Sequence, residues 1–261
     1  MTRVAGRYPE GSTLVAEGKT KIIFSSGEDP NKVLIVSKDD ITAGDGAKHD
    51  IIEGKAVLAT QTTCNVFRLL KACGIPVAFE MQTGADTFTA PGCAMLPYEV
   101  VVRREAHGSY LKRAPHLTKG HYFPRLLVEF FLKTTGRKWK EHDLPCDDPF
   151  IRFGHNTANL FLPSQPIAGE PFLSLDDYPC MDSPGAFAAM EELTRRTFLV
   201  LEKAWQLQGR RLVDFKIEFG VTHDSRLVVA DVIERNGGGK CKQLPSPPSF
   251  FIYLNLLYFT H

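Results

Sequence analysis

Charged side chains recur at every second position in the segment LVDFKIEFG, residues Leu212–Gly220. Successive side chains of a β-strand point to opposite faces, so Asp214, Lys216 and Glu218 share one face. The residues between them are apolar and belong to a core. A strand that presents two carboxylates and one ammonium in a row has the residue types to bind a metal ion or a phosphate.

The following segment, RLVVADVIE, is apolar on both faces except for Asp231 and the terminal Glu234. Such a run is typical of a strand that is covered on both sides. A turn centred on His223–Arg226 would place Glu218 opposite Asp231, with the side chains about 4.5–5.5 Å apart. A partly buried carboxylate pair needs a shared proton, a nearby lysine or a metal ion, and Mg²⁺ with nucleotide phosphates would suit it. The alternative is a solvated face in a shifted register, since a slip of one residue separates the pair.

The segment EGKTK, Glu17–Lys21, combines a glycine with two lysines at the start of a predicted strand. Gly18 allows a close backbone approach, and Lys19 and Lys21 would point to one face of the strand. Two ammonium groups beside a glycine can hold phosphates. The alternative is an exposed basic edge, because edge strands commonly carry lysine.

The third cluster is basic and spans Val101–Arg113, VVRREAHGSYLKR. Its cations are Arg103, Arg104, Lys112 and Arg113. Arginine recognises phosphate or carboxylate with two hydrogen bonds, and the Gly108–Ser109 turn supplies backbone N–H groups and a hydroxyl. The alternative is a basic loop that faces water.

Amino-acid composition restricts the possible functions much less than these three segments do. The chain has 261 residues, 43% of them hydrophobic, which suits one large domain or two small ones. Its 31 Lys and Arg residues nearly balance 30 Asp and Glu residues, giving a net charge of +1. The net charge is therefore too small to attract the chain to nucleic acid or to a membrane.

The cysteines and the N-terminal segment lead us to expect a cytoplasmic protein. None of the six cysteines forms a CxxC pair, which disfavours a zinc site. The first ten residues lack the apolar run of a secretory signal. No segment reaches the roughly 20 apolar residues of a membrane span. Scattered cysteines in such a chain are expected to be reduced thiols.

Hydrophobic periodicity predicts strands interspersed with two long helices, an α+β fold. The first helix covers about Glu53–Cys73, with Val57, Cys64, Phe67 and Leu70 near one face, and Gly74 and Pro76 end it. The second begins at Ser183 and Pro184, runs to about Gln208 with its apolar stripe at Phe187, Met190, Phe198, Leu201 and Trp205, and is capped by Gly209. The predicted strands are Thr20–Phe24, Val33–Ser37, Met95–Arg103, Arg211–Phe219 and Arg226–Glu234. Asp39–Asp50 and most of Gly136–Asp182 are expected to be loops.

Taken together, these segments resemble the SAICAR synthetase family, which comprises phosphoribosylaminoimidazole-succinocarboxamide synthases. The matching stretches occur in the family's order over residues 14–234: EGKTK, SKDDITAGDGAKHDIIEGK, MLPYEVVVRREAHGS, LKR, LVDFKIEFG and LVVADVIE. Two of them, LVDFKIEFG and the pattern PxExxxRxxxxGS, are family signatures. Tyr98 and His107 depart from the second pattern, where a small aliphatic residue and Thr or Ala are usual.

The resemblance implies an α+β fold of two lobes with an ATP cleft, similar to ATP-grasp enzymes. It implies an N-terminal nucleotide-binding lobe over residues 1–98 and a second lobe over 99–234, followed by a tail over 235–261 outside the family pattern. The implied reaction joins L-aspartate to carboxyaminoimidazole ribonucleotide (CAIR) with ATP and Mg²⁺, through an acyl phosphate. The resemblance leaves the oligomeric state open, and a homo-oligomer is compatible with it.

The resemblance also implies roles for individual residues. The implied ATP-binding residues are Lys19, Lys21, Met95, Glu99 and Lys216. The implied substrate-binding residues are Asp45, Arg103, Gly108, Ser109, Lys133 and Asp148. Lys216 and Arg103 would be catalytic, and Glu218 and Asp231 would hold Mg²⁺.

The resemblance ends immediately after Glu234. Family members continue with a segment like Asp-Ser-x-Arg-x-Trp that carries a substrate-binding arginine, whereas this chain continues with RNGGGKCKQLPSPP and an uncharged aromatic run. Arg235 differs in context and spacing. An alternative hypothesis is therefore a truncated or inactive isoform that binds ATP or an oligomer partner without efficient turnover.

Overall fold

The computed structural model describes residues 11–43, 48–154, 156–166, 170–176, 178, 184–230 and 240–243. They divide into two compact units. The first comprises the described residues up to Ala94 together with Val221–Val228, and the second comprises the described residues from Met95 to Gly220 with 229, 230 and 240–243. The predicted α+β class is confirmed, whereas the lobe boundaries at residues 98 and 234 stay a prediction.

The first unit is built on a five-stranded antiparallel sheet in the order β1-β2-β3-β7-β6, with a separate β4–β5 hairpin and one long helix. Its strands are β1 (Leu14–Glu17), β2 (Lys21–Ser25), β3 (Lys32–Ser37), β4 (Asp40–Ala43), β5 (Lys48–Ile51), β6 (Met81–Gln82) and β7 (Thr87–Pro91), and its helix is α1 (Lys55–Ala72). Phe79 lies between Phe67 of α1 and Phe88 of β7, with ring centroids 6.0 and 5.9 Å away. These buried rings join the helix to the sheet.

Helix α1 begins and ends as its flanking residues dictate. Gly54 at its N-cap has no side chain to offer, and the carboxylate of Asp39 accepts the N–H of Ala56 at 2.8 Å instead. Gly74 takes a φ of 73°, and Ile75 donates its N–H to the carbonyl of Leu70, as expected of a glycine C-cap. The predicted helix and its end are confirmed.

Three predictions in this unit are wrong. The described residues of Asp39–Asp50 do not form a loop, because β4 pairs with β5 and His49 Nε2 lies 2.7 Å from Asp40 Oδ1, whereas residues 44–47 lie outside the described part of the chain. Val57 is 40% exposed, since the buried face of α1 follows Ala56, Thr60, Thr63 and Phe67 at helical spacing. Lys19 does not share a strand face with Lys21, because it lies in the β1–β2 turn, which Gly18 closes by donating to the carbonyl of Lys21 at 2.8 Å.

The second unit is built on an eight-stranded sheet in the order β14-β13-β12-β9-β8-β15-β16, with β17 also paired to β15. The strands of this sheet and of the separate β10–β11 hairpin are β8 (Cys93–Glu105), β9 (Tyr122–Leu132), β10 (Lys138–Trp139), β11 (His142–Asp143), β12 (Phe150–Phe153), β13 (Ala158–Phe161), β14 (Leu173–Leu175), β15 (Arg210–Thr222), β16 (Leu227–Ala230) and β17 (Lys240–Gln243). The end of β15 and the start of β16 fall within Val221–Val228, which belongs to the first unit. Its helices are α2 (Tyr110–Arg113) and α3 (Pro184–Leu207). The predicted loop over Gly136–Asp182 is wrong in part, because five strands of two to four residues lie within it.

Helix α3 packs its apolar stripe on one face of the large sheet. The ring of Phe198 stacks on Phe215 of β15 at 5.4 Å, and Phe187 meets Tyr98 of β8 edge-on at 5.3 Å. Four of the five predicted stripe residues are buried, namely Phe187, Met190, Phe198 and Leu201. Gly209 has a φ of 65°, which confirms it as the C-terminal cap, whereas Ser183 lies outside the described residues.

The turn between β15 and β16 sets the register of this hairpin. Thr222 donates its N–H to the carbonyl of Arg226 at 3.0 Å, Ser225 donates to the carbonyl of Thr222, and Ser225 takes a φ of 61°. This is a three-residue turn with a left-handed last position. Along a regular ladder it places Ala230, rather than Asp231, opposite Glu218. The predicted pairing is therefore one residue off, and Asp231 itself lies outside the described residues.

Candidate functional site

The candidate site occupies the face of the large sheet that points away from α3. Strands β9, β8 and β15 are neighbours in that sheet, and ion pairs link their charged side chains across it. We call these residues the charged face: Glu99, Arg103, Glu129, Lys133, Asp214, Lys216 and Glu218. Alternation along each strand separates this face from the apolar core beneath it.

The first group on the charged face surrounds Glu218. Lys133 Nζ lies 2.7 Å from both carboxylate oxygens of Glu218, and Lys216 Nζ lies 3.7 Å from Oε1. Lys216 Nζ also donates to Glu99 Oε1 at 2.5 Å. The Glu218 side chain is 6% exposed, against 47% for Lys133 and 28% for Lys216. A buried carboxylate is thus held between two ammonium groups that reach solvent.

The second group surrounds Arg103. Its Nε donates to Glu129 Oε2 at 2.7 Å, and its Nη1 donates to Asp214 Oδ2 at 3.2 Å. Arg113 of α2 donates to both oxygens of Glu129, through Nη2 at 2.7 and 2.9 Å. All four side chains are buried, and their two positive charges balance two negative ones. Burial of four charges is tolerable because each is paired.

The aromatic ring of Tyr110 lies against this second group. The guanidinium carbons of Arg103 and Arg113 lie 5.7 and 5.6 Å from its centroid, which is cation–π distance. Burial raises the pKa of the Tyr110 phenol, and the negative charge of Glu129 adds to the rise. The phenol therefore stays protonated at neutral pH. The preceding turn contains Gly108, with a φ of 56°, and Ser109, and both are exposed.

Asp148 supports the backbone next to Lys133. Its Oδ1 accepts the N–H of Thr134, and its own N–H donates to the Thr134 hydroxyl, both at 2.9 Å. Lys133 donates its N–H to the carbonyl of Pro97 at 2.9 Å. Asp148 has a φ of 47°, an uncommon conformation that these contacts hold. The structure thus gives Asp148 a supporting contact, and its substrate role stays a prediction.

The residues around Glu218 fit a divalent cation. A carboxylate is the ligand that Mg²⁺ prefers, and the ammonium groups drawn to Glu218 show that this position favours positive charge. Lys133 is half exposed and can move away. Within the part of the chain that the structure describes, no three His, Cys, Asp or Glu side chains cluster as a complete metal site. Glu218 would therefore hold Mg²⁺ together with ligands from elsewhere.

The structure does not bring all the predicted site residues together. Lys19 is exposed and Lys21 partly buried, both in the first unit. Met95 is 48% exposed at the start of the second unit. Asp45 and Asp231 lie outside the described residues. The roles assigned to these residues stay predictions.

Sequence reasoning missed Glu129. It is a single acid within the apolar run LLVEFFL, at a position only 4% exposed. An isolated carboxylate in a buried strand is rarely unpaired, and this signal could have identified it.

No described helix is both long and apolar enough to span a membrane.

Comparison with known proteins places this geometry in a family. The sequence model of SAICAR synthetase matches residues 14–159 and 167–237. The phosphoribosylaminoimidazole-succinocarboxamide synthase of Chloroflexus aurantiacus is 40% identical over 223 residues, which cover 85% of this chain and 78% of that protein. The bifunctional purine synthesis protein purC/E of Dictyostelium discoideum is 38% identical over 224 residues, covering 86% of this chain but 20% of that protein.

Solved structures agree with the sequence comparison. A SAICAR synthetase in complex with ADP is 29% identical and superposes with a TM-score of 0.66, covering 85% of this chain and 80% of that one. The family model matches well over half of the chain, and the two signature segments contribute strands β8 and β15 of the charged face. The chain belongs to the SAICAR synthetase family.

Proposed function

We propose that this chain joins L-aspartate to CAIR with ATP, giving SAICAR, ADP and phosphate, as the names of its relatives suggest. The observation that carries the proposal is the buried Glu218 carboxylate with Lys133 and Lys216 beside it. The ADP-bound relative supports a nucleotide substrate. We propose that the reaction takes place in the cytoplasm.

The chemistry explains why such residues are needed. A carboxylate is a poor electrophile for an amine, so it must first be activated. A carboxylate oxygen of CAIR attacks the γ-phosphorus of ATP, and ADP leaves, which produces an acyl phosphate. The amine of L-aspartate then attacks the acyl carbon and expels phosphate, which carries the original carboxylate oxygen. No residue of the chain forms a covalent bond in this sequence.

The charged face would act through position and charge. Lys216 and Lys133 offer ammonium groups to the negative charge that accumulates as the phosphoryl group moves. Glu218 would hold Mg²⁺, which neutralises phosphate charge when bound. Asp231 stays the second ligand only as the family resemblance implies it, since the register of the turn does not place it opposite Glu218. Glu99 fixes Lys216 through their 2.5 Å hydrogen bond and limits where its ammonium group can go.

The remaining site residues would bind the substrates. We assign Arg103, Gly108 and Ser109 to CAIR, because a buried guanidinium and an exposed Gly-Ser turn suit a phosphate or carboxylate. We assign Lys19 and Lys21 to the ATP phosphates and Met95 to the adenine side. Asp45, Lys133 and Asp148 complete the proposed substrate contacts.

The test is ADP release by the purified chain, coupled to NADH oxidation. ADP should form only when Mg²⁺, ATP, CAIR and L-aspartate are all present, and omission of L-aspartate should reduce its rate to background. ADP release that is the same without CAIR would contradict the proposal, because the chain would then be an unspecific ATPase.

A further inference from the structure

Glu129 lies where two parts of the proposed CAIR site meet. It belongs to β9, and the β8–β9 ladder pairs it with Val101, so it is the diagonal neighbour of Arg103 on the same face. Its other partner, Arg113, ends the short helix that follows the Gly108–Ser109 turn. One carboxylate thus contacts an arginine of β8 and the arginine that ends the helix after the turn.

The hydrogen bonds around Arg103 leave one side of its guanidinium available. Nε and Nη1 donate to Glu129 and Asp214, whereas Nη2 donates to no group in the described part of the chain. The whole residue is only 5% exposed, so its orientation is fixed by these two carboxylates. A planar guanidinium held along one edge presents its remaining N–H groups in a single direction.

Arg113 is held more completely than Arg103. It donates three hydrogen bonds to Glu129 and one, at 2.5 Å, to the carbonyl of Pro163. Its guanidinium also lies over the rings of Phe131 and Phe150, 5.2 and 5.5 Å from their centroids. Arg113 is therefore an anchor for α2 and the turn before it.

We infer that Glu129 is a positioning residue, which aligns Arg103 and the Gly108–Ser109 turn for an anionic group of CAIR. The inference rests on the proposed function, because that function assigns Arg103 and the turn to CAIR. Glu129 does not itself touch the substrate in this account. It acts by holding Nη2 of Arg103 and the Ser109 turn in a fixed relation.

The neighbouring pair Arg104–Glu202 supplies a matched control. Arg104 donates to both oxygens of Glu202 at 2.7 and 2.9 Å, and Glu202 belongs to α3 on the other side of the same sheet. Glu129→Gln and Glu202→Gln each remove one negative charge from an arginine that β8 carries. Only the first changes the proposed CAIR site.

The test compares Michaelis constants for CAIR and for ATP. Glu129→Gln should raise the KM for CAIR about 10-fold or more and leave the KM for ATP within about twofold, since only CAIR contacts are lost. Glu129→Asp keeps the charge on a shorter side chain and should give an intermediate KM for CAIR. Glu202→Gln should change neither constant by more than about twofold.

Two outcomes would overturn the inference: an unchanged KM for CAIR in Glu129→Gln, or an equal rise in Glu202→Gln. If Glu129→Gln fails to fold, Glu129→Asp decides alone, and an unchanged KM for CAIR in that variant contradicts the inference.

Calorimetric titration of the chain with CAIR, in the absence of ATP, distinguishes failure of the inference about Glu129 from failure of the proposed function. Wild-type chain that binds CAIR but releases no ADP contradicts the function, and the same variants are then compared by Kd. Wild-type chain that neither binds CAIR nor releases ADP contradicts both.

Discussion

Glu218 bears its charge at a position that is only 4% exposed. Removing a carboxylate from water costs several kcal/mol, and the ammonium groups of Lys133 and Lys216 offset that cost. The pairing has a functional consequence, because the lysines are more exposed than the carboxylate and can exchange Glu218 for other partners. The group is therefore suited to ligands that bring both a cation and phosphate oxygens.

Lys216 is the residue whose loss should affect catalysis most clearly. Lys216→Met removes the ammonium group while retaining a side chain of similar length, and kcat should fall about 100-fold or more. The fold should persist, because Lys216 is partly exposed. Steady-state ADP release measures the effect, and Lys138→Met, at a lysine 71% exposed in the β10–β11 hairpin, is the control. Equal activity of the two variants would contradict the role given to Lys216.

The individual residues of the charged face were only partly predictable. Alternation in LVDFKIEFG identified Asp214, Lys216 and Glu218 as one face, because a strand has a fixed period of two. Their partners are Arg103 and Glu99 of β8 and Lys133, directly after β9, which lie 85 to 117 residues earlier in the chain. No local pattern specifies such a pairing. The β15–β16 register was missed by one residue because the turn contains a left-handed serine.

At the scale of elements, α3 should stabilise the second unit through its apolar stripe. Phe198 is fully buried against Phe215, so Phe198→Ala should lower the free energy of unfolding by about 3–5 kcal/mol. Leu199, the next residue, is 51% exposed, and Leu199→Ala should cost about 0.5 kcal/mol or less. Urea denaturation of both variants checks this. Similar losses would show that α3 does not pack as described.

The reactivity of the Cys64 thiol in helix α1 should show whether that helix is packed as described. Burial raises the pKa of Cys64 from 9.0 to about 11, against a small opposing effect of Arg68. The thiol is therefore protonated at pH 8, and it is completely buried. Maleimide should label the exposed Cys73 within minutes and Cys64 only after denaturation, as judged by peptide mass spectrometry. Labelling of both at one rate in the native chain would contradict the packing of α1.

The helices were predictable where strands were not. Both long helices are predictable because apolar residues recur at helical spacing over 18 and 24 residues, and because a glycine, Gly74 or Gly209, follows each of them. Strands β12 to β14 have only three or four residues each and lie among prolines and aspartates. Their position in the sheet is set by pairing with β9 and with one another, which sequence alone does not reveal.

For the whole molecule, nucleotide binding should appear as added stability. A ligand at 100 times its Kd stabilises the native state by about 2.7 kcal/mol. Mg-ADP should therefore raise the thermal midpoint by several degrees, and EDTA should abolish most of the shift. Glu218→Gln should reduce the shift, whereas Asp143→Asn, at an acid 86% exposed, should retain it. Differential scanning fluorimetry checks this, and an undiminished shift in Glu218→Gln would contradict the proposed metal ligand.

Oxygen transfer during the reaction tests the central claim most directly. CAIR labelled with ¹⁸O in both carboxylate oxygens is incubated with the chain, Mg-ATP and L-aspartate, and the products are analysed by mass spectrometry. An acyl phosphate requires one ¹⁸O to appear in the released phosphate and one to remain in SAICAR, and this is the result that we predict. Phosphate without ¹⁸O, or ADP without labelled SAICAR, would contradict the account.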